Sequence, residues 1–291
     1  ESADSITSWL NSMGFVATKE NIWQTDTSIW NNYDVLILSS GLDVVTVAQD
    51  NSYGPTMRNA LKNFVSRGGK LLVEGGEIGF DAQVWNPDFG TSVLHINDWD
   101  SDYPGNLNLY LPTHPIANSP NTLPSQIVGN FTGQWGVADA LVLEPDAYFV
   151  YNWTSYQSDG GIIVHDTNQG DPNVVFMSIN ILSITDKSVA KALLENCVEY
   201  LIFGTQNVEE TQRPLKFNFD VKKIGRDIKI NFILNEPQKV EIRVFDVTGR
   251  KNYDFSKMLK RGTYTHSIIN LKPGVYFVSF KTDKNIKEIK K

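Results

Sequence analysis

The stretch that most constrains the fold is residues 68–80, Gly-Gly-Lys-Leu-Leu-Val-Glu-Gly-Gly-Glu-Ile-Gly-Phe. Its apolar centre, residues 71–73, is typical of a short strand buried in a parallel sheet. Three glycines then follow, Gly75, Gly76 and Gly79. They permit positive φ angles and so predict a sharp turn from strand to helix, with Glu77 at its tip. Because such an elbow holds the nucleophile in several α/β enzymes, the residue at the tip matters for function.

Helical and strand-like segments alternate on both sides of this elbow. Helical periodicity covers residues 4–14, 57–67 and 186–203, and strand-like runs cover 34–40, 140–143, 147–151, 161–165 and 174–179. This alternation predicts an α/β doubly wound, mostly parallel sheet. Regular periodicity fades over residues 81–134, where Pro, Asn, Gly and Asp dominate. We interpret that segment as a functional loop or an insertion.

The charge distribution predicts a second domain. Residues 1–210 carry a net charge of −18 and residues 211–291 carry +11, within a total of −7. Past the change of sign, five short alternating segments separated by turn residues predict an all-β, Ig-like sandwich. We therefore predict an α/β domain at 1–205, a linker at 206–214 and a β-sandwich at 215–291.

Several classes of protein are disfavoured. The lysines of the basic part are scattered over strand-like segments without a recognition motif, so we predict no nucleic-acid partner. No apolar run approaches the about 18 residues of a membrane-spanning helix. The single cysteine, Cys197, lies on the apolar face of the last predicted helix and is interpreted as a core residue. The chain begins at Glu1 without an initiator Met, and we expect it to be a segment of a longer precursor.

The C-terminal residues resemble a known export module. The matching pieces are residues 228–234, 240–250 (Val-Glu-Ile-Arg-Val-Phe-Asp-Val-Thr-Gly-Arg), 261–264, 271–278 (Leu-Lys-Pro-Gly-Val-Tyr-Phe-Val) and the closing lysines Lys287, Lys290 and Lys291. Together they resemble the sorting domain carried by cargo of the type IX secretion system, an Ig-like sandwich also similar to the flagellar hook-capping module. The resemblance implies export, with the export machinery as a partner, and a secreted or cell-surface location.

The N-terminal residues resemble the class I glutamine amidotransferase-like, flavodoxin-like fold. The matching pieces are residues 33–37, 61–65, 68–72, 113–116 and 174–180. Active members of that family have Gly-x-Cys-x-Gly at the elbow, whereas this chain has Gly-Gly-Glu-Ile-Gly at 75–79. Because Glu77 is a much poorer acyl-transfer nucleophile than a thiolate, we expect no amidotransferase activity. The resemblance implies a non-catalytic accessory or interaction region of a larger secreted protein, such as a peptidase.

An alternative function is a divergent hydrolase. A carboxylate at the elbow can act as a general base, bind a cation, or cap the helix that follows, and we favour the capping role. His165 and Asp166 end a strand-like run near the same predicted sheet edge. The candidate catalytic residues are therefore Glu77, His165 and Asp166, acting together or with a metal.

Two further patterns lie mainly in the irregular region. Asp98, Asp100 and Asp102 alternate along the chain as calcium ligands do, so Ca²⁺ is the one candidate cofactor, although the Gly and Glu of an EF-hand are missing. Five aromatic residues are candidates for a carbohydrate-stacking surface, or for packing beneath loops. They are Trp85, Trp99, Trp135, Trp153 and Tyr156.

Overall fold

The computed structural model describes the chain in separate ranges. These are residues 2–41, 46–49, 54–102, 104–131, 137–168, 171–204, 219–224, 227–234, 237–246, 248, 250–260, 262–269, 271–272, 274–282 and 286–290. The chain forms two compact units. Unit 1 comprises Glu1–Met13 and Ala17–Asn207, and unit 2 comprises Gly14–Val16 and Val208–Lys291. The predicted linker at 206–214 lies outside the described residues, so the domain limits stay predictions.

Unit 1 contains six helices among its described residues. They are α1 (Ser2–Ser12), α2 (Gly54–Ser66), α3 (Ile78–Trp85), α4 (Pro87–Phe89), α5 (Pro115–Asn118) and α6 (Lys187–Phe203). Short 3-10 turns occur at Thr27–Asn32 and Ile181–Ser183, and a π-helical turn at Gly90–Leu94 follows α4. The apolar residues of α2 recur at helical spacing, so Met57, Leu61 and Phe64 are buried on one side.

A mixed sheet runs through unit 1. Its strands are β1 (Leu36–Gly41), β2 (Leu71–Gly75), β3 (Ile96–Asp102), β4 (Leu107–Leu109), β5 (Gln126–Ile127), β6 (Asp139–Leu143), β7 (Ala147–Trp153), β8 (Gly160–Asn168) and β9 (Asp171–Met177). The strand order is β1-β2-β9-β8-β7-β4-β5, and β6 connects β3 to β8. Strand β2 is buried along its whole length.

The direction of pairing differs from the prediction. A sheet with helices is confirmed, but among the described strands parallel pairing is limited to β1 with β2 and β2 with β9. The other ladders of unit 1 are antiparallel. The physical reason lies in the short connections between β7, β8 and β9. Parallel neighbours need a crossover of about a dozen residues or more, whereas short turns join antiparallel strands.

The segment at 81–134 is not an irregular excursion. Its described residues include most of α3, all of α4 and α5, and the strands β3, β4 and β5. The prediction failed because these elements are short, and because β3 (Ile-Asn-Asp-Trp-Asp-Ser-Asp) is mostly polar and has no apolar run. Consequently, this segment contributes to the folded body of unit 1.

The elbow is present with a different use of its glycines. Strand β2 ends at Gly75 and α3 begins at Ile78. Of the three predicted glycines, Gly75 alone has a positive φ, 156°. At Gly79 the absence of a side chain serves packing, because a Cβ atom there would lie 2.7 Å from Leu141 Cδ2. The turn is therefore tight through close contact with β6 as well as through backbone freedom.

Unit 2 is a β-sandwich built from seven described strands. One sheet has the order β10 (Phe219–Ile224), β11 (Asp227–Leu234), β14 (Gly262–Ile268), and the other has the order β13 (Lys251–Leu259), β12 (Gln238–Asp246), β15 (Tyr276–Thr282), β16 (Ile286–Lys290). All of their ladders are antiparallel. Alternation along β12 buries Val240, Ile242 and Val244 in the shared core. Strands β13 and β16 were not predicted, since β13 exposes most of its residues.

Candidate functional site

Glu77 lies at the elbow but does not cap the helix that follows. Its backbone has ordinary helical angles, φ −99° and ψ −11°, and its side chain accepts no hydrogen bond from the first turn of α3. The predicted capping role of the carboxylate is therefore wrong. The backbone carbonyl of Glu77 does accept a bond from Asp81 N, at 2.9 Å. The side chain remains available for other interactions.

Other carboxylates surround Glu77. Burial raises the pKa of Glu77, and the charges of Asp102 and then Asp81 raise it further. Asp81 itself accepts hydrogen bonds from Thr46 Oγ1 at 2.8 Å and from Gln49 Nε2 at 3.0 Å. These bonds fix one acid of the group in position. Glu77 is thus half-buried among groups of like charge.

Asp139 is the most deeply buried acid of this set. It is inaccessible to solvent, and its carboxylate accepts bonds from Phe80 N at 3.0 Å and from Trp99 Nε1 at 3.1 Å. Burial raises the pKa of Asp139 well above the usual value, and the charges of Glu77 and Asp102 add to the rise. The two hydrogen bonds lower the pKa but do not offset the burial. We call Glu77, Asp102 and Asp139 the acidic group.

The structure does not bring His165 and Asp166 to Glu77. His165 lies on β8 opposite Val174 of β9, which pairs in turn with Leu71 at the start of β2. Glu77 instead follows the end of β2. Asp166 accepts bonds from Tyr148 and Tyr200 through their hydroxyl groups, at 2.8 and 2.9 Å. The three candidate catalytic residues therefore belong to different surroundings, and a catalytic role for any of them stays a prediction.

The candidate calcium ligands lie on a strand and not in a loop. Asp98, Asp100 and Asp102 all belong to β3, whose ladder with β6 is interrupted on both sides of Asp98 and Trp99. Asp98 accepts from the backbone of Trp99 at 2.8 Å, Asp100 interacts with Asp159, and Asp102 belongs to the acidic group. In the described part of the chain these three side chains do not gather their oxygens around one point. Calcium binding stays a prediction.

The five candidate aromatic residues do not share one surface. Trp153 is fully buried, and its Nε1 donates to Asp139 O at 3.0 Å and to Gly160 O at 3.1 Å, so of the two alternatives it packs in the interior and is not part of a stacking surface. Trp99 packs edge-on against Phe80, with ring centroids 5.1 Å apart. Trp85 is 55% exposed, and Tyr156 is partly buried. Trp135 lies outside the described residues.

A cluster that the sequence did not reveal lies near the start of β2. His95 Nδ1 is 3.2 Å from Asp146 Oδ2, and His165 Nε2 is 3.3 Å from the same oxygen. The two imidazole rings stack with centroids 3.5 Å apart and planes 6° from parallel. Each of the three residues offers a ligand atom within 4.8 Å of the other two. We call His95, Asp146 and His165 the His–Asp–His cluster.

Three different elements position this cluster. His95 ends the π-helical turn at Gly90–Leu94 in the left-handed conformation, with φ 56° and ψ 43°. Among the described residues it is the one non-glycine with a positive φ. Asp146 lies in the turn between β6 and β7, and His165 lies on β8. A left-handed residue of this kind costs free energy unless its surroundings hold it, which makes the position a candidate for function.

The three residues of the cluster differ in their hydrogen bonds and in their exposure to solvent. His165 Nδ1 lies 2.6 Å from Asn173 Oδ1. His95 Nε2 is buried and has no hydrogen-bond partner within the described residues. Burial, and to a smaller extent the charge of His165, lowers the pKa of His95 to about 4. Asp146 acts in the opposite direction and raises it. Asp146 is 57% exposed at its side chain, so the cluster reaches solvent on that side.

His114 has a structural role apart from this cluster. Its Nδ1 accepts from Ile116 N at 3.2 Å at the start of α5, and its Nε2 lies 3.2 Å from the hydroxyl of Tyr148. Burial lowers the pKa of His114 to about 4. Both ring nitrogens therefore have partners.

The fold of unit 2 assigns this unit to the class of small antiparallel β-sandwich domains. Within that class, a family model described as a secretion system C-terminal sorting domain matches residues 226–291, which contain β11 to β16. The chain thus carries a type IX sorting domain and is a secreted or outer-surface protein. The comparison of the whole sequence with curated proteins gives no match. Within the described residues, no helix is long and apolar enough to cross a membrane.

Proposed function

We propose that residues 1–205 form a non-catalytic accessory or interaction region of a larger exported protein, such as a peptidase. Residues 215–291 then provide export and surface attachment. The surroundings of Glu77 are the main support. The charges that act on it come from Asp81 and Asp102, whereas His165 lies toward the other end of β2. A nucleophile for acyl transfer needs an adjacent base or a lowered pKa, whereas the pKa of Glu77 is raised.

The only thiol gives no substitute for the missing nucleophile. Cys197 is fully buried on α6, and burial raises the pKa of its thiol. Reactive cysteines are partly exposed and have a lowered pKa. Cys197 therefore supports the core of unit 1 and not an acyl-transfer reaction.

The proposal is tested by a hydrolysis screen of the wild type, Glu77→Gln and Asp98→Asn with ester, amide and glycoside substrates. We expect all three proteins to match the buffer rate. Asp98→Asn is the matched control, because it neutralises an exposed acid of β3 that does not belong to the acidic group. A rate that Glu77→Gln removes and Asp98→Asn preserves would assign a catalytic role to Glu77 and overturn the proposal.

The export function is tested in a bacterium that has the type IX machinery. We expect the precursor lacking residues 215–291 to stay inside the outer membrane, and the precursor lacking residues 1–205 to reach the surface. Surface protease digestion of intact cells distinguishes the two locations. Surface display that survives removal of residues 215–291 would show that export depends on another segment.

A second candidate function is a hydrolase that uses carboxyl groups alone. The specific observation is that Glu77, Asp102 and Asp139 all have a raised pKa. A carboxyl that stays protonated at higher pH can act as a general acid beside an ionised partner. If the carboxyl groups act in this way, the rate of hydrolysis in the screen above should depend on pH with a bell-shaped profile. A protonation-dependent rate lost in both Glu77→Gln and Asp102→Asn would favour it over the accessory function.

A further inference from the structure

We propose that the His–Asp–His cluster binds one divalent transition-metal ion, and that zinc fits it best. Two imidazole nitrogens and one carboxylate oxygen form a ligand set typical of zinc and its first-row neighbours. The ligand atoms of His95, Asp146 and His165 already lie within 4.8 Å of one another. This site is independent of the elbow and of the function proposed for it.

The two distances from Asp146 to the rings match those between ligands of one ion. Zinc binds His nitrogen and carboxylate oxygen at about 2.0–2.2 Å, so two ligands of a tetrahedral ion lie about 3.3–3.5 Å apart. Asp146 Oδ2 is 3.2 Å from His95 Nδ1 and 3.3 Å from His165 Nε2. The carboxylate therefore needs little movement to share an ion with either ring.

In a neutral His165 ring, the hydrogen bond to Asn173 leaves the other nitrogen without a proton. Asn173 Oδ1 can only accept, so Nδ1 of His165 carries the hydrogen at 2.6 Å. In the neutral ring, Nε2 then directs a lone pair at Asp146 Oδ2, which is also an acceptor. Two facing acceptors repel each other unless a proton or a metal ion lies between them. Metal-bound histidines commonly have this arrangement, in which a fixed oxygen orients the far side of the ring.

His95 has the same shortage of protons. If its hydrogen is on Nδ1, Nε2 is left bare and buried, and if the hydrogen is on Nε2, Nδ1 faces the carboxylate with a lone pair. Either tautomer of this ring, which is 7% exposed, leaves one polar interaction unsatisfied. A single divalent ion bound by Nδ1 of His95, by His165 and by Asp146 removes the repulsion of the second tautomer, in which Nε2 of His95 keeps its hydrogen. Protons on both rings would instead set like charges 3.5 Å apart.

Metal binding changes the stacking of the rings. Imidazoles that share a tetrahedral ion have centroids about 5 Å apart, whereas the two rings here are stacked at 3.5 Å. The rings must therefore separate as the ion enters. Because Asp146 is largely exposed, the ion can enter from solvent and keep water as its fourth ligand.

The test uses the full chain, freed of metal with a chelator, and zinc alone as the probe in isothermal titration calorimetry. We expect one zinc ion per chain, and the ring protons of His95 and His165 should shift together in NMR spectra. Cobalt in place of zinc should give the visible absorption of a tetrahedral site. We expect Asp146→Asn and His165→Gln to weaken zinc binding at least about tenfold, with Asp146→Asn folding normally because its side chain is exposed.

Matched variants separate this site from adventitious binding by imidazole. His266→Gln removes a histidine of unit 2 and should retain full affinity. Asn173→Ala removes the acceptor that orients His165 and should weaken binding about 10–100-fold, whereas Asn173→Asp keeps an acceptor and should restore it. The proposal is overturned if the chain binds no stoichiometric zinc, or if Asp146→Asn and His165→Gln bind as tightly as the wild type.

Discussion

The acidic group and the His–Asp–His cluster lie toward opposite ends of β2, and each arrangement lacks positive charge in a different form. In the acidic group, carboxyl groups raise the pKa of one another, so protons relieve the repulsion. In the cluster, a carboxylate and two rings present lone pairs to each other, and their ligand atoms lie close enough for one metal ion to bind all three. The comparison teaches that buried polar residues alone do not define a site. The charge that their arrangement lacks indicates which ligand it can hold.

Removing Asp139 tests whether the acidic group stabilises the fold, and it has the largest expected effect. Asp139→Ala leaves Phe80 N and Trp99 Nε1 without their acceptor. Because each unsatisfied buried donor costs about 1–3 kcal/mol, we expect the free energy of unfolding to fall by about 3 kcal/mol. Urea denaturation measures the change, with Asp98→Ala as the exposed control. A variant as stable as the wild type would mean that repulsion and burial cancel the two hydrogen bonds.

Zinc should stabilise the folded chain through the His–Asp–His cluster and not through the acidic group. At a free concentration 100 times the dissociation constant, a ligand stabilises the folded state by about 2.7 kcal/mol. For a unit of this size we expect the melting temperature to rise by about 5–10 °C. Glu77→Gln should keep this rise and Asp146→Asn should lose at least about half of it. The same rise in both variants would show that zinc acts elsewhere in the chain.

Local patterns explain what the sequence could predict. The alternation of Val240, Ile242 and Val244 predicts the faces of β12, because each residue's orientation depends on its own neighbours in the chain. The apolar run at 71–73 likewise predicts β2. The direction of pairing depends on distant strands, and that part of the prediction failed. The match of residues 226–291 to a sorting-domain family confirmed the resemblance drawn from short motifs.

The His–Asp–His cluster could not be predicted because its geometry is not local. His95 and His165 are far apart in the sequence, and the ladder of β7 with β8 sets His165 beside the turn that holds Asp146. His95 points toward them only because a π-helical turn ends in a left-handed residue. The one available signal was scarcity, since the chain has four histidines. The sequence made His165 a candidate together with Glu77 and Asp166, whereas the structure places it beside His95 and Asp146.

The pH dependence of the free energy of unfolding tests the charge repulsion within the acidic group. The folded-state pKa of Glu77 is raised, so its contribution is present below its unfolded pKa, near 4.5, and is lost as pH rises through the folded value. We expect Glu77→Gln to be more stable than the wild type at pH 7 and equal to it below about pH 4. The effect should be smaller than that of zinc, because Glu77 is only half-buried. Thermal melts between pH 3 and pH 8 measure it, and a wild type that is the more stable protein at pH 7 would contradict the repulsion.

Calcium should have the smallest effect, because it requires ligands that converge. Asp98, Asp100 and Asp102 lie on β3 and interact with three different sets of neighbours. Millimolar Ca²⁺ is therefore expected to change the melting temperature by less than about 1 °C, since binding that weak gives little linkage stabilisation. Asp98→Asn combined with Asp100→Asn serves as the matched control. A rise of several degrees that this double variant abolishes would mean that β3 rearranges to gather its acids, and the acidic side of the comparison would then hold a cation site as well.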